Sequence, residues 1–211
     1  NGSGLVISNN DLTSSGANSL RYIGIYVQGV DGAVISNNSI GNFDTSTDED
    51  DKGISLATGA KNVNVIGNSI TNIGYTGTGG YGAHGISVAT GVTNANISLV
   101  NNMISNIFGD GYNYLSTSFS TDNPIGILLT TTQTGINIYN NSIYMSGNTL
   151  NQSSALSMGI MMNTGSVADI RNNIIVNNLG LSSATGYGSA GIYAVTANSQ
   201  FTDINYNDYI V

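Results

Sequence analysis

The chain has no cysteine, no tryptophan, a single histidine and four basic residues, Arg21, Lys52, Lys61 and Arg171. Without cysteine there are no disulfides, no thiolate nucleophile and no thiolate metal site, and redox chemistry does not fix the compartment. Twelve acidic residues against the four basic ones give a net charge of -8. Affinity for nucleic acid comes from cations that neutralise phosphates, so DNA, RNA and anionic membrane surfaces are poor partners. No apolar run approaches the ~18 residues a membrane-spanning helix needs. Charged residues make up only 8% of the chain. The 40% apolar content argues against disorder. The 211 residues suffice for one domain, taken as residues 1–211.

What the chain has in quantity is glycine, 28 residues of it, with many Asn, Ser and Thr. That mixture suits many turns between short strands. It is also the composition of secreted or surface proteins of bacteria and archaea. The chain starts at Asn1 rather than Met, which is compatible with a leader removed on export.

The asparagines are placed regularly. "VISNNDL" at 6–12, "VISNNSI" at 34–40, "INIYNNSI" at 136–143 and "DIRNNII" at 169–175 all read apolar-x-x-Asn-x-apolar. The pattern also fits Asn68, Asn102 and Asn207, so the series runs Asn10, Asn38, Asn68, Asn102, Asn141, Asn173, Asn207 at spacings from 28 to 39 residues. A second mark alternates with it: Gly-Ile at 24, 53, 85, 126, 159 and 191. Two interleaved marks at one loose period signal a solenoid or propeller. Each unit holds three short alternating stretches, such as "GISLA" at 53–57, "NVNVI" at 62–66 and "SIT" at 69–71. Such alternation predicts strands, and the β-branched content argues against helix. The predicted fold is an all-β, right-handed parallel β-helix of about six to seven coils. At its sharp corners the repeated Asn points inward, bonding the backbone and its equivalents in neighbouring coils. Other solenoids fit less well: the leucine-rich consensus and the G-G-x-G-x-D calcium repeat are missing, and WD propellers need Trp.

On these marks the sequence resembles the right-handed parallel β-helix repeat family. That broad superfamily holds pectate lyases, polygalacturonases, alginate epimerases, phage tailspikes and bacterial surface proteins. The resemblance runs from Leu5 to Ile210 and implies a scaffold rather than an activity. In the related lyases and hydrolases the active site lies on one strand row, with carboxylates and, for lyases, calcium and an Arg or Lys base. The comparable row here is the Gly-Ile strands. Their outward positions, Tyr26, Ser55, Ser87, Leu128, Met161 and Tyr193, carry no charge, and neither do the positions beside them. Two carboxylates about 5 to 9.5 Å apart, or a base beside a metal, cannot be assembled on them. His84 falls in a Gly-rich loop with no second histidine or nucleophile near it. Asp169 and Arg171, two apart, share an outward face and form a surface ion pair.

Insertions collect between each Asn strand and the next Gly-Ile strand, on one edge of the solenoid. Loops gathered on an edge are where solenoids place recognition surfaces. They carry Tyr75, Tyr81, Phe108, Tyr112, Tyr114, Phe119 and Tyr187, suited to sugar rings or a protein partner. A second reading has these rings folding back over the strands beneath. "DTSTDEDD" places Asp44, Asp48, Glu49, Asp50 and Asp51 within one stretch, readable as a solvated acidic loop or as hard oxygen ligands for calcium. Neither end looks capped, which predicts a piece of a longer protein or a subunit stacking end to end. A regular Thr-x-Thr ladder of the kind that binds ice does not form. The functional expectation is a non-enzymatic, secreted or cell-surface stalk, adhesin or filament subunit whose loop edge meets a glycan or protein. The alternative is a protein that binds or degrades polysaccharide.

Overall fold

A computed structural model describes residues 4–112, 121–181, 188–196 and 198–211. The chain winds as a parallel β-solenoid of about six turns, each contributing one strand to each of three sheets. Sheet A stacks Leu5–Ser8, Asp31–Ser36, Lys61–Ile66, Ile97–Val100, Gln133–Tyr139, Ser166–Arg171 and Phe201–Asn205. Sheet B follows the ladder asparagines with Asp11–Leu12, Ser39–Thr45, Ser69–Tyr75, Met103–Phe108, Ser142–Leu150, Ile174–Leu181 and Asp208–Ile210. Sheet C carries the Gly-Ile mark in Ile23–Val27, Asp51–Leu56, Ala83–Val88, Ile125–Leu129, Leu156–Met162 and Gly188–Ala194. Every pairing is parallel. Among the described residues no helix is long and apolar enough to cross a membrane.

The repeat follows from what each corner must satisfy. Between sheets A and B the second Asn of each pair turns inward, and from Asn38 to Asn173 it is buried. Its Oδ1 accepts the backbone N–H of the asparagine one coil below, at 3.0 Å for Asn68 over Asn38, and also that residue's Nδ2, at 2.9 Å. Its own Nδ2 then donates to the next Oδ1 and to a sheet A carbonyl of the coil below, as Asn68 does to Asn102 and to Ile35. The same bonds recur from Asn10 to Asn207. Buried backbone groups left open by the turn are thereby paired.

The residue before each ladder Asn has a different task. Asn9, Asn37, Asn101, Asn140 and Asn172 adopt left-handed φ between 54° and 57°, and Gly67 and Tyr206 do so in the remaining coils. Asn tolerates this region better than other residues with a side chain, and glycine reaches it freely. The pair therefore splits into a turn former and a ladder member.

Sheet B strands run longer than the short "SIT" segment implies. Asn42, Asn72 and Asn106 sit inside them at φ 59°, 54° and 52°. The kink resets the alternation, so Ile70 and Ile73, or Ile40 and Phe43, both point into the core three residues apart. On the outside these asparagines form a second amide row, Asn106 to Asn72 to Asn42 at 3.0 Å each. In the first half of the sheet C strands, where they bend past sheet B, the glycines are required by close approach. A Cβ on Gly85 would lie 2.6 Å from the Gly126 carbonyl oxygen and 2.6 Å from Ile104 Cγ2. The corner between sheets C and A is filled by buried polar side chains: Gln133 accepts from Thr90 N and donates to Val88 O, and Gln200 donates to Met162 O and Asn163 O. Thr90 is buried there, its hydroxyl donating to Ala60 O, so the threonines of this corner do not form one exposed row.

The interior is a stack of Ile, Val and Leu from all three sheets. The outer face of sheet C is not uniformly open. Tyr26 is 54% exposed, but Ser55, Ser87, Leu128 and Met161 of the same column are buried. Leu128 and Met161 join Ile125, Leu156 and Met158 in a second apolar cluster, separate from the interior.

Replacing Asn102 by Ala removes the acceptor of the Asn68 N–H and the donor to Val65 O. Two orphaned buried groups cost about 3 kcal/mol or more in urea unfolding. Asn101→Ala, which strains the left-handed turn, costs about 1 to 2 kcal/mol, whereas Asn101→Gly is close to neutral.

Candidate functional site

The edge between sheets B and C is organised by acceptors. Tyr75 is buried at the end of its sheet B strand; its hydroxyl donates to Asp48 Oδ1 at 2.8 Å and accepts the Gly79 N–H at 2.8 Å. Its ring meets Tyr81 edge to face at 5.4 Å. The Asp110 carboxylate is buried and accepts the N–H groups of Gly80 and Tyr81 and the Gln152 Nε2–H, the last at 2.9 Å. Asn123 Oδ1 accepts Tyr112 N and Leu156 N. One carboxylate and one amide thus fix segments from three coils, which makes the edge a rigid surface. Tyr81, Phe108 and Tyr112 are half-buried. Tyr114, Phe119 and Tyr187 lie outside the described residues.

Phe108 ends its sheet B strand, in register with Gly74 and, a coil further, with Asp44. Its ring rests over Gly74, where a Cβ would come within 2.3 Å of it. Two hollows share this ring. One, of about 290 Å³, is lined by Tyr75, Thr76, Gly77, Phe108, Asp110, Asn148, Thr149 and Asn151. The other, of about 310 Å³, is lined by Asn42, Asp44, Asn72 and Phe108. Each is near the lower bound of ligand sites, about 300 Å³.

The acidic stretch spreads out instead of converging. Asp44 lies on sheet B, and Asp48 is held by Tyr75. Glu49 pairs with Arg21 at 2.9 Å, and Asp50 accepts Gly82 N–H. Asp51 accepts Tyr22 N–H through Oδ1, while its buried Oδ2 has no partner. Among the described residues no group of three or more His, Asp or Glu side chains is placed to hold a metal ion.

Sheet C carries a third column that the sequence reading did not count. Residues immediately before each Gly stack as Ile23, Lys52, His84, Ile125, Met158 and Ala190. Lys52 and His84 are thus direct neighbours, and His84 lies within a sheet C strand, not in a Gly-rich loop. The signal was present as "KGI" and "HGI" one coil apart. Lys52 Nζ donates to Asp50 O at 2.8 Å and sits 4.9 Å above the Tyr22 ring. Burial lowers its pKa against the attraction of Asp50 and Asp51. Asp50 shares a side-chain hydrogen bond with Asp122, and burial holds its carboxyl above the usual range. His84 is buried; Nε2–H donates to Thr121 O at 2.8 Å, and Nδ1 has no partner. Burial, then the Lys52 charge, push its pKa down to about 3, so the ring is neutral. The column is chemically varied, yet His84 at its centre is 1% exposed.

On sheet A, Arg171 grips Asp169 through two nitrogens, reaches Asp203 at 3.3 Å and lies 5.9 Å from the Tyr139 ring. Burial, and next the Asp169 carboxylate, push the Tyr139 hydroxyl up to about 12.

The fold and repeat define a parallel β-solenoid with an asparagine stack. Comparison with protein-family models, curated proteins and solved structures returned no match.

Burial, reinforced by Glu49, pushes the Asp51 carboxyl up to about 7, opposed by the Tyr22 N–H and the charges of Lys52 and Arg21. The unfolded chain ionises this group near the ordinary value of 3.8. Between those values the folded state holds the proton that the unfolded state has released, so the Asp51 contribution to stability falls as pH rises. His84 works oppositely, losing stability as pH falls below its ordinary 6.5. Comparing Asp51→Asn with the parent cancels the His84 part. The thermal midpoint of the variant exceeds the parent's by an amount that grows from about pH 4 to about pH 7 and levels above.

Proposed function

We propose that the chain is a non-enzymatic, secreted or cell-surface β-helix acting as a stiff structural and adhesive element, with the edge between sheets B and C as its contact surface. The observation that carries this reading is the pair of hollows around Phe108, on walls fixed by buried hydrogen bonds. Loops raised on a rigid scaffold are the common place for recognition. A solenoid built coil by coil, each adding about 4.8 Å, suits a rod that holds such an edge away from a surface. The resemblance to the pectate-lyase-like superfamily adds polysaccharide-rich surroundings to the same reading.

A second reading, a polysaccharide-degrading protein, is favoured by the column of Lys52 and His84 with Asp50 and Asp122 beside it. Burial of the His84 ring weighs against substrate reaching it.

Affinity electrophoresis through gels cast with neutral and acidic polysaccharides, with and without millimolar calcium, separates these readings when run beside product assays. Retention without new reducing ends or unsaturated uronate is the expected result. Product formation that disappears in Lys52→Ala would establish the degrading reading instead, and failure of every polysaccharide to retain the protein would remove glycan contact from the proposal.

A further inference from the structure

We infer that the two hollows flanking Phe108 form one binding site for a neutral oligosaccharide. One pyranose ring stacks on Phe108, and the neighbouring units reach Asn148 on one side and Asp44 on the other. The inference rests on the contact-edge reading above and assigns that edge a ligand class.

This chain commits its polar side chains to rows: the buried ladder, the Asn42–Asn72–Asn106 row, and the Asn62 and Asn96 amides that continue from Asp31. Around Phe108 the pattern changes. Thr149 Oγ1 is buried without a hydrogen-bond partner. The exposed side chains of Asn148 and Asp44 make no hydrogen bond to the described residues. An amide and a carboxylate thus face open space on the two sides of one aromatic ring, and the buried Thr149 hydroxyl lies in the wall of the first hollow. A hydroxyl group on a ligand both donates and accepts, so it can answer both exposed groups. A pyranose also presents a flat face of C–H groups, which a ring such as Phe108 covers at little cost in conformational entropy.

Charge narrows the class. Neither hollow is lined by Lys, Arg or His, and both include a carboxylate, Asp110 in one and Asp44 in the other. An anionic sugar would meet uncompensated negative charge. A polycation is also a poor fit, because the Asp110 oxygens are already filled by Gly80, Tyr81 and Gln152, leaving Asp44 alone to attract it. The walls are preformed: Gly74 gives Phe108 its seat, and Asp110 holds the segment around Gly80. Preformed walls lower the ordering cost of binding.

The test is calorimetric titration of the whole chain at pH 7 with cellohexaose, xylohexaose, maltohexaose and chitohexaose, beside hexagalacturonate and hexalysine. At least one neutral hexasaccharide binds. Phe108→Ala weakens it about tenfold, and Asn148→Ala and Asp44→Asn each weaken it about threefold. The last two sit on the exposed rim, so they report on binding even where Phe108→Ala disturbs folding. Unchanged affinity in the rim variants and in a folded Phe108→Ala would overturn the site while leaving the contact edge in place. Tighter binding of hexagalacturonate or hexalysine, lost in the same variants, would overturn the neutral class. Binding of no hexamer, with retention of the protein in polysaccharide gels, would place glycan contact elsewhere on the edge.

Discussion

The structure depends on one amide repeated at one corner. Each ladder asparagine inside the stack uses both Nδ2 hydrogens and both Oδ1 lone pairs, the full capacity of the group. The alternative is a turn that leaves backbone groups open in a dry interior, where each costs on the order of 1 to 3 kcal/mol. Because the bonds run from coil to coil at 2.8 to 3.0 Å between side chains, they also set the spacing of the coils. An inserted residue at that corner would break two bonds above and three below. Length variation is therefore excluded from the A–B corner. The glycine contacts restrict the end of the B–C connection in the same way, since Gly85 has no room for even a methyl group. What remains free to vary is the stretch between them, and the long loops collect there. The loop-bearing edge is a consequence of the ladder.

The ladder and the Gly-Ile mark were legible in the sequence because each demands one residue type at one place in every coil. The left-handed asparagines were not. Asn37 and Asn38 are the same residue with opposite tasks, one bending the backbone and one filling the corner, and periodicity alone cannot divide them. Asn72 was hidden for a related reason. Its turn lies within a strand and shifts the inward positions from a spacing of two to a spacing of three, so simple alternation loses the strand at Thr71.

The edge was legible as a place and not as a surface. Aromatic residues in the loops pointed to it, but the residue that shapes it is Asp110, whose partners include backbone N–H groups with no sequence signature. Tyr75 illustrates the ambiguity: the same ring that reads as a contact residue is buried, with its hydroxyl engaged on both sides. The Lys52 and His84 column was legible in principle, since both precede a Gly-Ile pair. It was overlooked because strict alternation places that position inward, and the tight glycine corner displaces it to the outer face.

Electrostatics completes the division between scaffold and surface. The basic residues are engaged locally: Arg21 with Glu49, Lys61 with Asp31, Arg171 with Asp169 and Asp203, and Lys52 at the Asp50 carbonyl. An exposed pair of this kind adds at most about 1 kcal/mol to stability, so these contacts matter less for holding the fold than for neutralising isolated charge. The buried ionisable groups behave differently. His84 stays neutral and Asp51 retains its proton up to about 7, each because burial disfavours the charged form. Buried polar chemistry is thus either satisfied by hydrogen-bond partners, as in the ladder and at Asp110, or held uncharged. Around Phe108 the pattern differs: the exposed Asn148 and Asp44 side chains have no partner within the described residues and lie on the two sides of one aromatic ring, which is the arrangement the proposed site rests on.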